Sequence, residues 1–317
     1  MIGLSFIYTL GGIVFAAFAL LSARDQTNPK RWGNAAFWGL LALSFLGGNA
    51  LGDLGNGVLV LVLVALAGFG AVGRSHPPTT DAATRSASAT KFGNRLFVPA
   101  LAIPVTALAG TLLFKYITVG GVPLVDPKQT TLVSLALGVL VALALATAML
   151  RPPKLASLQE GRRLVDAVGW AAILPQMLAA LGGVFALAGV GGVVGQGVGA
   201  RVPDGNRFAA VAAYTLGMAL FTMVMGNAFA AFPVMTAAVA LPLLVHGFGG
   251  NPAIIAAIGM LSGFCGTLCT PMAANFNIVP ATLLELDDRN GVIKAQVATA
   301  LPLLAINTLL IYGLAFR

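Results

Sequence analysis

Two stretches in the second half of the chain set amide and hydroxyl side chains beside proline within apolar sequence. The first is Gly226-Asn227-Ala228-Phe229-Ala230-Ala231-Phe232-Pro233, followed by Thr236. The second runs from Thr267 through Thr270-Pro271-Met272-Ala273-Ala274-Asn275-Phe276-Asn277-Ile278-Val279-Pro280. A proline inside a helix removes one backbone donor and frees a carbonyl. Polar groups at membrane depth are costly unless they face protein or a water-filled cavity. The N-terminus of a half-helix also presents N–H groups that suit an anion. Paired discontinuous helices of this kind hold substrate near the bilayer midplane in transporters. The candidate substrate-binding residues are therefore Gly226, Asn227, Thr236, Thr267, Thr270, Asn275 and Asn277. Pro233, Pro271 and Pro280 are expected to break the helices. The alternative is a pair of proline kinks packed against neighbouring helices.

The elements that must carry these residues are membrane helices. Of 317 residues, 58% are apolar and only 9% charged, where a soluble domain carries about 25% charged. Mean hydropathy is +0.92. No segment shows the alternation of an outer-membrane barrel, so the fold class expected is an all-α polytopic membrane protein. The net charge of +8 does not point to nucleic acid, because the basic residues sit in short loops between apolar runs. Cys265 and Cys269 form neither a disulfide framework nor a metal cluster, and read as small apolar filler. No Asp, Glu, Lys or Arg lies mid-span. Asp166, Glu285, Asp287 and Asp288 sit at span edges, unlike the buried carboxylate of a proton pump. No catalytic or metal-ligating set is assigned, and the coupling cation, sodium or proton, stays open.

Apolar spans are expected at 3–22, 33–51, 56–73, 96–114, 130–150 and 167–188, then a re-entrant hairpin at 207–246, a broken helix at 251–288 and a last helix at 293–315. That makes about nine or ten membrane segments. Residues 3–21 read as a retained helix, since no basic region precedes them. Residues 1–163 form an N-terminal, scaffold-like helical set, with a flexible linker at 74–95 that includes His76. Residues 164–317 form a transport-type half. Glycines at Gly191, Gly195 and Gly199 share one helix face and suit close packing.

The first, third and fifth loops hold eleven basic residues: Arg24, Lys30, Arg31, Arg74, Arg85, Lys91, Arg95, Arg151, Lys154, Arg162 and Arg163. The loops between hold four, Lys115, Lys128, Arg201 and Arg207. The positive-inside rule then places the odd loops in the cytoplasm and both termini in the periplasm. The charge rule does not separate a hairpin at 207–246 from two full crossings.

The segment Gly217-Met218-Ala219-Leu220-Phe221-Thr222-Met223-Val224-Met225-Gly226-Asn227, continuing to Pro233, resembles the domain-of-unknown-function family 979. So does the segment from Gly259 through Cys265-Gly266-Thr267 to Pro280. The resemblance implies one subunit of a 5-oxoproline (pyroglutamate) transporter in a bacterial inner membrane, paired as a hetero-oligomer with a smaller membrane protein of family 969. More distantly, the hairpin and broken helix are similar to the ion transporter superfamily, whose members move carboxylates by an elevator motion. That fold uses two inverted repeats, each with a hairpin and a broken helix. This chain shows one set, which implies half of an elevator-type transporter.

Three functions compete. The first is a secondary-transporter subunit for a small organic anion. The second is a scaffold or assembly subunit without its own site. The third is an intramembrane enzyme. Gly259-Met260-Leu261-Ser262-Gly263 loosely resembles a rhomboid serine motif, but its spacing is wrong and no span holds a histidine to activate Ser262. The orientation has a direct check. A cysteine placed at Ser88 should resist a membrane-impermeant thiol reagent added from the periplasm, and one near Asp204 should react. The reverse pattern would overturn the orientation.

Overall fold

The computed structural model describes residues 1–75, 81–203 and 205–316. His76 and Asp204 lie outside the described residues. The chain divides into two compact units, Met1–Gly169 and Trp170–Arg317. The sequence boundary at 163/164 would have cut a helix that the first unit keeps whole.

The first unit opens with α1 (Leu4–Arg24) and α2 (Arg31–Gly68). Within α2, Gly52 leaves helical geometry, with φ 62° and ψ −174°. Glycine reaches such positive φ at no steric cost. The two arms of α2 run back along each other. Asn34 Nδ2 donates to the Gly73 carbonyl at 2.7 Å, and Gly73 N–H donates to Asn34 Oδ1 at 2.8 Å. Nearer the bend, Asn56 Nδ2 donates to the Gly48 and Gly52 carbonyls at 2.7 and 2.8 Å. The arms therefore correspond to the two spans expected at 33–51 and 56–73.

The stretch expected as a flexible linker contains α3 (Ala82–Phe92). Asp81 accepts from the Thr84 N–H at 2.8 Å and caps its start. A Ser/Thr/Ala-rich composition thus supports a helix once an N-cap is present. Next comes α4 (Phe97–Leu113), then a two-residue hairpin of β1 (Thr118–Val119) and β2 (Val122–Pro123), then α5 (Thr130–Leu150). Gly120 and Gly121 turn that hairpin, both at positive φ. α4 and α5 pack antiparallel at small residues. A Cβ added to Gly138 would lie 2.8 Å from the Ile103 carbonyl. The amphipathic α6 (Ala156–Val168) closes the unit.

Hydrogen bonds show which loops share an end of this unit. α6 reaches the first loop through Arg162, which pairs with Asp25 at 2.9 Å and donates to the Leu21 carbonyl at 3.1 Å. It reaches the third loop through Asp166, which accepts from Ser75 Oγ. At the other end, Ile2 N–H donates to the Leu124 carbonyl at 2.8 Å, and Asp126 N–H donates to that of Ile2 at 3.0 Å. The odd loops thus gather at one end, opposite the first residues and the 117–129 loop.

The second unit contains α7 (Leu174–Leu187), α8 (Val190–Gly199), α9 (Arg207–Met225), α10 (Ala228–Met235) leading into a π-helical stretch Thr236–Gly247, α11 (Pro252–Thr267), α12 (Ile278–Leu283) and α13 (Gly291–Leu314). The expected span at 167–188 is not one helix. α7 has 14 residues, short of the ~20 that cross a bilayer. Gly189, at φ 67°, separates it from α8.

Among the described residues, seven helices are long and apolar enough to cross a membrane, with α2 counted once. They include both Arg207–Met225 and Ala228–Gly247. By length, the 207–246 region therefore supplies two helices that could each cross, rather than two short limbs. The chain is an all-α, multi-pass membrane protein by these features.

Asp166 carries a testable consequence. Trp38 Nε1 donates to its Oδ1 at 2.6 Å, and the carboxyl is 2% exposed. Burial pushes its pKa above the ordinary 3.8, against the opposing pull of Ser75, Trp38, Arg162 and Asn34. The folded state then holds the proton more tightly than the unfolded chain. Its contribution is complete below pH 3.8 and is lost as pH rises through the raised value. In detergent, Asp166→Asn should therefore gain thermal stability relative to the wild type as pH rises from about 4 to 7. Trp38→Phe, which keeps the ring against Phe15 and Phe37, should cost about 1.5–3 kcal/mol by removing one bond to a charged group.

Candidate functional site

α9 and α11 run parallel and nearly touch. Gly259, Gly263 and Gly266 lie on one face of α11. Added Cβ atoms there would run into the Tyr214 ring, into Met218 Cε at 2.8 Å, and into the Ala219 carbonyl. Glycine spacing of four and three residues keeps these contacts on one helix face. Because the helices are parallel and in register, they end side by side.

α9 ends at Gly226, whose φ of 68° and ψ of 4° form a left-handed C-cap. Asn227 follows as the N-cap of α10, its Oδ1 accepting from the Phe229 N–H at 2.9 Å. The first break is this two-residue turn. Pro233 does not make it, because it lies inside α10. The helix tolerates the loss of one donor to the Phe229 carbonyl and widens into the π-helical stretch from Thr236, which itself contains Pro242. Pro280 likewise lies inside α12, at its third residue. Proline in a first turn removes an N–H that has no intrahelical partner in any case. Pro271 alone of the three sits in a break.

The second break is the connection from Leu268 to Asn277. Asn277 is fully buried, and its Nδ2 donates to the Thr267 carbonyl at 2.8 Å and the Thr270 carbonyl at 2.6 Å. Thr270 Oγ1 donates to the Met223 carbonyl at 2.9 Å and accepts from the Met272 N–H at 3.2 Å. That bond ties the second break to the end of α9. The N–H groups opening α12 are already used. Those of Ile278 and Val279 donate to the Ala274 carbonyl at 2.9 and 2.8 Å. The expectation of an anion-ready N-terminus there does not hold, since the connection folds back and supplies its own acceptors.

The seven candidate residues thus divide. Gly226, Asn227, Thr267, Thr270 and Asn277 fall at the paired helix ends. Asn275 is exposed on the connection. Thr236 is half-buried near Tyr214, with oxygens 3.5 Å apart. It lies nine residues beyond Asn227, roughly 14 Å along a helix. Ser262 Oγ donates to its own helix, at the Ile258 carbonyl, at 3.0 Å. Cys265 packs beside Ala219, Ala300 and Leu304, as apolar filler would.

A cavity of about 910 Å³ opens beside the first break, within the second unit. Asn227, Phe229, Ala230 and Pro233 line one wall, and Gly182, Gly183, Gly192, Gly195 and Gln196 the other. Among the described residues, no ionisable side chain lines it. The glycine face expected for packing is used in part. A Cβ on Gly195 would meet the Ala238 carbonyl at 2.7 Å, whereas Gly199 has nothing within 4 Å. Gly183 and Gly192 also have nothing within 4 Å, so their hydrogens leave room for the cavity. The sequence reading missed Gln196, Gly192 and the Gly259–Gly263–Gly266 face. The last had a signal, the same small-residue spacing noticed at Gly191.

The model of the family described as "Protein of unknown function (DUF979)" matches residues 5–316. The chain belongs to that family. No curated protein and no solved structure matches it. In this family member, the Thr270 bond to Met223 should hold the two breaks together. Thr270→Val keeps the shape and removes the hydroxyl. It should lower thermal stability in detergent by about 0.5–1.5 kcal/mol, while Asn275→Ala should leave stability unchanged.

Proposed function

We propose that this chain is a subunit of a secondary transporter for a small organic anion, with 5-oxoproline as the best-fitting substrate. The cavity beside Asn227 carries this reading. Its volume falls in the range of small-molecule sites, ~300–1,000 Å³. The first turn of a helix has N–H groups without intrahelical partners, and Asn227 Oδ1 takes that of Phe229. The positive end of α10 therefore faces the cavity without any lysine or arginine. A single carboxylate suits such a place, with each charge-assisted bond worth about 1.5–3 kcal/mol. Asn227 and Gln196 supply amides for a lactam, and the remaining wall is apolar. A second carboxylate or a free ammonium would enter without a counter-charge.

One helix-end pair, α9–α10 with α11–α12, supports the reading of half an elevator-type transport domain. In this proposal a smaller membrane subunit of family 969 completes the assembly. The complex sits in a bacterial inner membrane with both termini periplasmic. A purely scaffolding subunit would need no cavity at a helix break.

The test is uptake of labelled 5-oxoproline into proteoliposomes, with and without the smaller subunit. Asn227→Ala should raise KM about ten-fold. Gly192→Leu should fill the cavity from a position with open space and a helix-favouring side chain, so the protein stays folded while uptake falls at least ten-fold. Normal uptake by Gly192→Leu would remove the cavity from the mechanism.

A further inference from the structure

Two prolines lie inside one helical limb of the second unit, Pro233 in α10 and Pro242 in the π-helical stretch that continues it. Each lacks the N–H that would close a backbone bond, so each frees a carbonyl. In α10 the bond would run four residues back, to Phe229. In a π-helix it runs five back, as the Phe248 N–H does to the Leu243 carbonyl at 3.1 Å, so Pro242 frees the Ala237 carbonyl. Carbonyls without donors are costly at membrane depth unless they face protein or a water-filled cavity. Phe229, Pro233, Ala237 and Pro242 all line the same cavity. A helix carbonyl points along the axis toward the residue that should donate to it. Where its own residue and that donor residue both form the wall, the freed oxygen lies on the wall. The cavity therefore carries acceptors contributed by the backbone, which no inventory of side chains displays.

The Phe229 carbonyl stands at the end of the cavity where Asn227 begins α10. It lies about 5 Å, less than one turn, along the axis from the N–H groups of that helix's first turn. The Ala237 carbonyl is more than two turns further on, roughly 10 Å away, out of reach of a small acid held at the first turn. Gly182 and Gly183 of α7 stand opposite this end. A Cβ on Gly182 would lie 3.2 Å from that of Ala230, while one on Gly183 would meet nothing within 4 Å, so the opposite wall leaves room for a ligand. The start of α10 thus offers donors for an anion and, beside them, an acceptor for a neutral N–H. We propose that the Phe229 carbonyl, freed by Pro233, receives the amide N–H of a bound acid, and that the ligands of this cavity are N-acylated α-amino acids, which carry a carboxylate and an amide N–H on one carbon. 5-Oxoproline is the cyclic member of that class. The assignment rests on the transport reading in placing a carboxylate at the start of α10. A free α-amino acid is disfavoured, since among the described residues lining the cavity no carboxylate would meet its ammonium. An acid without an N–H leaves the carbonyl unpaired and loses one bond.

The experiment compares 5-oxoproline with the cyclopentanone carboxylate in which CH2 replaces the ring N–H. Each is measured by thermal unfolding of the purified chain in detergent over a range of ligand concentrations. Each is also tested as a competitor of labelled 5-oxoproline uptake into proteoliposomes that contain the smaller subunit. In the wild type the ketone should bind about ten-fold more weakly, the loss of one hydrogen bond. Open-chain N-acetylalanine carries the same pair of groups and should bind and compete. Pro233→Ala supplies the missing N–H to the Phe229 carbonyl and is a better helix former. It should fold and bind the two ring acids with nearly equal, weakened affinity. Pro302→Ala, in α13 and away from the cavity, controls for the removal of a proline and should keep the ten-fold difference. Equal binding of lactam and ketone by the wild type would overturn the subsite without any variant. So would a ten-fold difference that survives in Pro233→Ala. Failure of N-acetylalanine to bind would overturn the class. The transport reading falls separately. Selective binding of the lactam without uptake defeats transport and keeps the subsite. Uptake that the ketone inhibits as well as the lactam does keeps transport and overturns the subsite.

Discussion

Backbone contact between α9 and α11 is the constraint on which the second unit depends. Gly259, Gly263 and Gly266 let the helices approach until Cβ atoms would collide with Tyr214, Met218 and Ala219. In lipid, helix association comes from such packing rather than from apolar burial, because the tails are as apolar as leucine. The close approach brings two helix ends to one level. It also makes the Thr270–Met223 bond possible, since a hydroxyl reaches a carbonyl on the neighbouring helix only at this separation. A larger residue at Gly263 or Gly266 would part the ends and leave the carbonyls of both helices without their partners.

The first unit solves a different problem, that of holding hairpins of helices at one end. Its glycine bend at Gly52 and its Asn34–Gly73 pair of bonds fix the two arms of α2. The amphipathic α6 then ties down two loops at once. Arg162 is buried against Asp25, and Asp166 against Trp38 and Ser75. Buried charges are tolerable only when paired and hydrogen-bonded. Arg162 is paired with Asp25, and Asp166 accepts from Trp38 and Ser75, so both lie at the loop end of the unit. Eleven basic residues in the odd loops and the joining of those loops at one end are two independent signs of a common side.

Much of this was legible in the sequence because lipid imposes a narrow grammar. Apolar length gave the long helices, and the spans at 130–150 and 293–315 nearly match α5 and α13. Loop charge grouped the first, third and fifth connections, and the bonds of α6 join those same loops. The breaks were legible as places but not as mechanisms. Proline drew attention to Pro233 and Pro280, yet a helix absorbs proline in its first turns or by widening. The true terminator, Gly226, depends on a backbone angle that composition does not display. The span expected at 167–188 failed at its start, where Gly169 turns at φ 58° and a 3-10 stretch, Gly169–Ile173, precedes α7. Thr236 lies close to the break in sequence, but a rise of about 1.5 Å per residue carries it away along the helix. Asn275 and Asn277 are two residues apart and identical in type, and only the fold of the connection makes one buried and the other exposed.

Helix ends of opposing polarity lie side by side in the second unit, at Gly226 and Asn227, with no ionisable residue in that turn. A lysine or carboxylate at this depth would carry a desolvation cost in every state of the protein. A helix end carries its partial charge as part of the backbone and needs no side chain to be kept ionised. α10 offers a positive end toward the cavity, while α9 and α11 offer negative ends two residues away. Asn227 and Asn277 occupy the two poles with their own amides, Asn227 accepting from an N–H and Asn277 donating to carbonyls. Each side chain thus supplies the polarity its pole lacks.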